Sequence, residues 1–368
     1  MENQTLTRKH IDWIDVAKGI GIFLILFGHV SYELKTRYIH TIIYTFHIPA
    51  FFVLSGLVFS IKPGTKFLSF VKNKVFRIGI PSLIFVTIGL IVALCVKRPI
   101  NAVSLVKYFF YFDGTYFWNM PCWFFFSLFF VYLIAFAIKL PEQKWWVKAL
   151  MGVVFFVLGF LLYLAKDGLG AATNPFSKFG IDKTIIVTGF FIVGSLIRDL
   201  HNKWSLDDKK HQLYLIPTLV VFMGLTFVFG VLLNSRVSLY QMKLHNYWSF
   251  VASSIFGTCS LIIVSIFISN VKWMTVLPKM WGKHTILIAG THYIYRCSRT
   301  LFIVMTQGMG LYKTYWGDLI MLVYVIALLM LYIPIGYLVD KYLPYMSGAN
   351  PTFYQELRRK RLEKSQNN

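Results

Sequence analysis

The chain of 368 residues is 57% hydrophobic and 18% aromatic but only 14% charged, against about a quarter charged in an average soluble domain. That composition excludes an ordinary soluble globule and indicates a polytopic integral membrane protein. The net charge of +22 would suggest a nucleic-acid partner in a soluble chain. Here, however, Lys and Arg cluster in short segments between apolar runs, as membrane topology requires, and no nucleic acid is expected.

Windows of about 20 apolar residues predict ten membrane spans and an all-α fold. The first, about 14–31, carries Lys18 near one end and His29 near the other. Eleven positions is roughly three helical turns, so both side chains project from one face about 16 Å apart. A charge at mid-bilayer costs about 3 kcal/mol, so such groups face a protein interior or a wet cavity. Lys18 is near enough to the end of the span to snorkel. His29 has two readings, a packing residue donating to a backbone carbonyl or a functional group, and spacing leaves both open. The run is long, polar at two positions and without a small-x-small cleavage site, so it is expected to stay in the mature protein.

The second span, about 39–60, contains Pro49, whose ring frees a backbone carbonyl and kinks the helix beside His47. A basic segment with Lys62, Lys66, Lys72, Lys74 and Arg77 leads to a third span at about 78–96. The loop 97–121 is rich in Tyr, Phe and Trp, which suits an interfacial belt or a platform for a sugar ring. Further spans are predicted at about 122–140, 146–165, 183–197, 213–233, 248–269, 284–305 and 319–339, the ninth of them the most polar. A membrane domain of 1–340 would then precede a basic tail at 341–368. With the N-terminus inside, inner segments carry about twice the Lys and Arg of outer ones, so both termini are expected to be cytoplasmic in a multi-pass plasma (inner) membrane protein.

Cys95, Cys122, Cys259 and Cys297 are widely spaced without a C-x-x-C pair, and no H-E-x-x-H set occurs, so no metal is expected. Gly19 and Gly21 lack the strand-turn-helix context of a nucleotide fingerprint and are read as close helix packing. An imidazole in a partly dry cavity stays neutral and can accept a proton near pH 7. Lys18, Lys74 and Arg77, all near the inner face, offer fixed positive charge to a phosphorylated ligand. Together they describe a tunnel with an anion-binding mouth and a base partway across. An acyl-CoA threading from the cytosol suits it, with His29 as general base toward an acceptor hydroxyl and Ser55, His47 and His292 as candidate oxyanion donors.

Five segments carry a resemblance. Trp13-Ile-Asp15-Val-Ala-Lys18-Gly19 with His29, Phe46-His47-Ile-Pro49-Ala-Phe-Phe-Val-Leu-Ser55-Gly56, Lys74-Val-Phe-Arg77-Ile-Gly-Ile-Pro81, Pro121-Cys-Trp123-Phe-Phe, and Gly282-Lys-His-Thr285 followed by His292 occur in order. They resemble motifs of the acyltransferase 3 family of bacterial membrane acyltransferases, and within it the fucose 4-O-acetylase-like and polysaccharide O-acetyltransferase branch. The resemblance implies His29 as the catalytic residue and Lys18, Lys74 and Arg77 toward an acetyl-CoA donor, and His47, Ser55, Trp123 and His292 are the candidate substrate-binding residues. The implied acceptor is a sugar hydroxyl of a cell-envelope or lipid-linked polysaccharide. Lys replaces the usual Arg in both the first-helix and R-x-x-R motifs, which keeps the charge but loses the bidentate fork. Some relatives carry an extracytoplasmic hydrolase-like domain, so this chain is expected to transfer directly or to hand the acyl group to a separate partner. A transporter or polysaccharide-export component is the competing reading, although no paired broken helices appear in corresponding halves.

Overall fold

The architecture is that of a computed structural model describing residues 11–31, 37–97, 119–169 and 179–348, with isolated positions at 101, 103, 105, 107, 111 and 363. The described residues form helices: α1 (Asp12–Val30), α2 (Arg37–Val58), α3 (Phe67–Lys74), α4 (Ile80–Cys95), α5 (Cys122–Ala137), α6 (Trp145–Leu169), α7 (Ile181–Trp204), α8 (Lys209–Phe227), α9 (Tyr247–Ser269), α10 (Lys272–Lys283), α11 (Thr285–Thr291), α12 (Cys297–Gly308) and α13 (Tyr315–Tyr342). Strand-like pairing among them is limited to an isolated bridge between Ser238 and Lys243.

Seven helical stretches are long and apolar enough to cross a membrane, and the chain is a polytopic membrane protein. Three of the ten expected spans do not meet that measure, each for its own reason. α5 is apolar but only 16 residues long. α7 carries Asp182 and Lys183 at its start and Arg198 and Asp199 near its end. The span expected at 284–305 is not one helix at all but α11, a short 3-10 turn (Ile294–Arg296) and α12.

Two segments expected to be loops are helical. The basic stretch before the third span is α3, which runs through a π-helical turn (Val75–Gly79) into α4, so Lys74 and Arg77 sit on a continuous helix. Residues 272–283 form α10, which lies against α1.

The helices sort by how they meet lipid. α1, α2, α7 and α9 form the interior, with Trp13, Phe52, Phe190, Phe191 and Phe250 fully buried among them. α8 buries little besides Thr226 and turns Leu213, Val220, Val221 and Met223 outward, as a lipid-facing helix must. Lipid tails are as apolar as Leu, so membrane helices associate through close packing at small residues. Here a Cβ on Gly56 of α2 would collide with the Phe191 carbonyl of α7, and one on Gly194 of α7 with the Val53 carbonyl of α2. A Cβ on Gly19 of α1 would likewise strike the Pro278 carbonyl of α10. Gly21 meets the Phe51 ring, so both glycines pack as their sequence context predicts. Between α6 and α7, Lys148 Nζ donates to Asp199 Oδ2 at 2.6 Å, a nearly buried charge paired as burial requires.

Candidate active site

A single cavity of about 1120 Å³ runs between α1, α2, the α3–α4 helix, α5 and the α11–α12 segment. Its lining includes Lys18, His29, His47, Ser55, Lys74, Arg77, Trp123 and His292, the candidate catalytic, donor-binding and substrate-binding residues. The aromatic stretch 116–118 and the basic stretch 356–361 lie outside the described residues.

One half of the cavity is rich in lysine and carries Lys18, Lys74, Lys283 and Arg77. Lys18 Nζ lies 3.0 Å from Asp15 Oδ1 on the preceding turn of α1. Lys74 Nζ stands 3.3 Å from the centroid of the Tyr132 ring, a cation–π contact, and Tyr132 shares a side-chain hydrogen bond with Ser55. Arg77 and Lys283 complete this end, Lys283 Nζ also lying 3.4 Å from Asp340. Ser55 therefore belongs to the lysine-rich half. It is eight residues, or about 12 Å along α2, from His47.

The other half is built on histidine and tyrosine. The His29 ring lies 5.0 Å from that of His292, 4.6 Å from Tyr293 and 6.2 Å from Tyr44. Tyr44 Oη approaches His29 Nδ1 at 3.4 Å, and the Tyr44 and His47 rings are 4.8 Å apart. His47 and His292 are held in the same way. Each donates from Nδ1 to the carbonyl four residues earlier, His47 to Ile43 at 2.7 Å and His292 to Ile288 at 2.9 Å. A carbonyl can only accept, so these bonds fix the tautomer and leave each buried Nε2 a lone pair with no hydrogen-bond partner among the described residues. In the neutral form these two histidines accept hydrogen bonds. Tyr44 and Tyr293 line the same cavity, and their hydroxyls can donate.

The break in the ninth span explains how His292 comes to face the cavity. Irregular backbone is tolerated at membrane depth only where protein or a wet cavity satisfies the freed groups. Asn119 Nδ2 donates to the Gly290 carbonyl at 2.6 Å, Ser298 Oγ to the His292 carbonyl at 2.9 Å, and Tyr324 Oη to the Ser298 carbonyl at 2.7 Å. Arg296 at the break is left-handed, with φ of 57°, a conformation that costs a non-glycine residue about 1–2 kcal/mol.

Several lining residues escaped the sequence reading. Arg236, Tyr240, Lys243 and His245 come from the connection between α8 and α9, where the two cations had counted only as loop charges. Arg296 and Arg299 fall within the ninth and most polar of the expected spans, and both line the cavity. Arg299 is an electrostatic neighbour of His29 and Tyr44, and Arg236 of Tyr44.

Comparison with known protein families finds a match to the family described as an acyltransferase domain over residues 11–341. No curated protein and no solved structure matches the chain. The matched region takes in α1 with its lysine and histidine, the α3–α4 helix, and the broken segment that carries His292. This chain belongs to the acyltransferase 3 family and is a membrane acyltransferase.

Proposed function

We propose that the protein moves an acyl group, specifically acetyl, from cytoplasmic acetyl-CoA to a sugar hydroxyl of a cell-envelope or lipid-linked polysaccharide, as in the fucose 4-O-acetylase-like branch of the family. The observation that carries this reading is the union of a lysine-rich end and a histidine cluster in one cavity. Its volume of about 1120 Å³ exceeds the roughly 300–1,000 Å³ of ordinary small-molecule sites, as an extended donor and a separate acceptor together require. In this reading the termini are cytoplasmic in the plasma membrane. Lys18, Lys74 and Arg77 hold the CoA phosphates, and the pantetheine arm extends along α1 toward His29.

The chemistry then follows from position. The His29 imidazole takes the proton of the acceptor hydroxyl as the oxygen attacks the thioester carbonyl. Tyr44 and Tyr293 donate to the oxyanion that develops on that carbonyl oxygen. When the tetrahedral intermediate collapses, the carbon–sulfur bond breaks and the imidazolium returns its proton to the CoA thiolate. The lone pairs of His47 and His292 accept from hydroxyls of the sugar and orient it.

The test compares O-acyl content of envelope glycans from cells with and without the protein, alongside CoA release by the purified protein. O-acetyl groups that disappear with the protein, and CoA release from acetyl-CoA that depends on added glycan, are expected. Unchanged glycan O-acylation would overturn the proposal.

A further inference from the structure

The cavity holds two groups of cations that differ in kind. Lys18, Lys74, Lys283 and Arg77 stand at one end, whereas Arg236, Arg296, Arg299 and Lys243 stand on the histidine side. Asp and Glu are absent from the described residues that line the cavity. The first end thus presents mainly ammonium groups. The second presents mainly guanidinium forks, whose planar donors match carboxylate or phosphate oxygens bidentately.

A CoA ester accounts for only one of these groups. With its thioester carbonyl at His29, its phosphates lie toward Lys18, about three helical turns away. The arginines are therefore on the acceptor's side of the reacting centre. They come from two pieces of chain: Arg236 from the α8–α9 connection closed by the Ser238–Lys243 bridge, and Arg296 and Arg299, three residues apart, from the 3-10 turn and the first turn of α12. Three guanidinium groups lining one cavity, with no Asp or Glu among its described lining residues, favour an anionic ligand on that side. Tyr240 and Tyr293 line the cavity beside these arginines and offer ring faces to a sugar.

We propose that the acceptor is an acidic glycan, a sugar bearing a carboxylate or phosphate that Arg236, Arg296 and Arg299 clamp while a neighbouring hydroxyl meets His29. The proposal rests on the acyl-transfer reading above and names the substrate class of that site.

The experiment supplies the purified full-length protein and acetyl-CoA with three acceptors. These are a glucuronate-containing oligosaccharide, the same oligosaccharide with its carboxyl reduced to an alcohol, and the reduced form carrying a phosphate monoester. At least one anionic acceptor is expected to exceed the neutral one in kcat/KM, with the advantage shrinking as salt is raised. Whether uronate or phosphate is preferred identifies the source of the charge. Arg299→Gln is expected to lower that preference about 30-fold or more, the scale of losing one partner of a buried charge pair, without raising the acetyl-CoA KM. Arg299→Lys should fall between, because it keeps the charge without the fork. Equal use of all three acceptors, or a preference that survives Arg299→Gln, overturns the inference and leaves the acyltransferase reading standing. If no acceptor is acylated, intrinsic tryptophan fluorescence titrations with the same three compounds decide. Charge-selective binding that Arg299→Gln abolishes upholds the anion site, and binding blind to charge overturns it.

Discussion

α1 and the segment 285–308 each carry a histidine into the same cavity, yet they are built in opposite ways. α1 is an unbroken helix that acts as a ruler, holding Lys18 and His29 on one face about 16 Å apart and pressed onto α10 at Gly19. The segment 285–308 is broken, and the Gly290, His292 and Ser298 carbonyls around the break accept from Asn119, Ser298 and Tyr324 respectively. A continuous helix suits a fixed separation between donor anchor and base. The break instead turns the chain between the short helix that leads to His292 and Tyr293 and the helix that carries Arg299.

The largest effect is expected where the ruler meets the chemistry. His29→Ala should lower acyl transfer by about 10²- to 10⁴-fold, read as acetyl-CoA turnover with saturating glycan, while the protein still runs as a folded species in detergent. A comparable loss in His292→Ala alone would reverse the comparison and move the base to the broken segment. Next, Gly19→Ala should cost about 1–3 kcal/mol in a denaturation assay, because the Pro278 carbonyl is main chain and cannot rotate away. An unchanged midpoint would mean that the α1–α10 contact is not a constraint.

Lys18→Ala should raise the acetyl-CoA KM about tenfold while leaving the acceptor KM as it was, since it removes one charge-assisted phosphate contact at the donor end. A change confined to the acceptor would contradict the division of the cavity into two halves. The smallest effect is expected at the break itself. Arg296→Gly relieves a left-handed non-glycine residue and should stabilise the fold by about 1 kcal/mol, while use of the acceptor falls with the lost guanidinium. Thermal midpoint and acceptor KM should therefore move in opposite senses.

Much of this comparison was legible before any coordinates, and some of it could not be. The Lys18–His29 spacing is a property of one helix and survives folding unchanged. The proline beside His47 and the run of polar residues from Thr291 to Arg299 marked two more places where chain chemistry conflicts with lipid. The break itself was hidden, because the apolar windows around 284–305 satisfy a span by length and only distant partners such as Asn119 and Tyr324 make the broken form affordable. Ser55 shows the same limit. Its hydroxyl is on the expected helix, but its hydrogen bond to Tyr132 puts it in the lysine-rich half.

By itself the amino-acid sequence determined that this is a membrane protein, where most helices run, and that one of them carries a lysine and a histidine on a single face. Those features follow from bilayer thickness and helical periodicity, both local in the chain. Tertiary structure alone decided that the α8–α9 connection lines the cavity and that its Arg236 joins Arg296 and Arg299 there. Each of those depends on atoms far apart in sequence meeting within a few ångströms, and periodicity carries no information about such meetings.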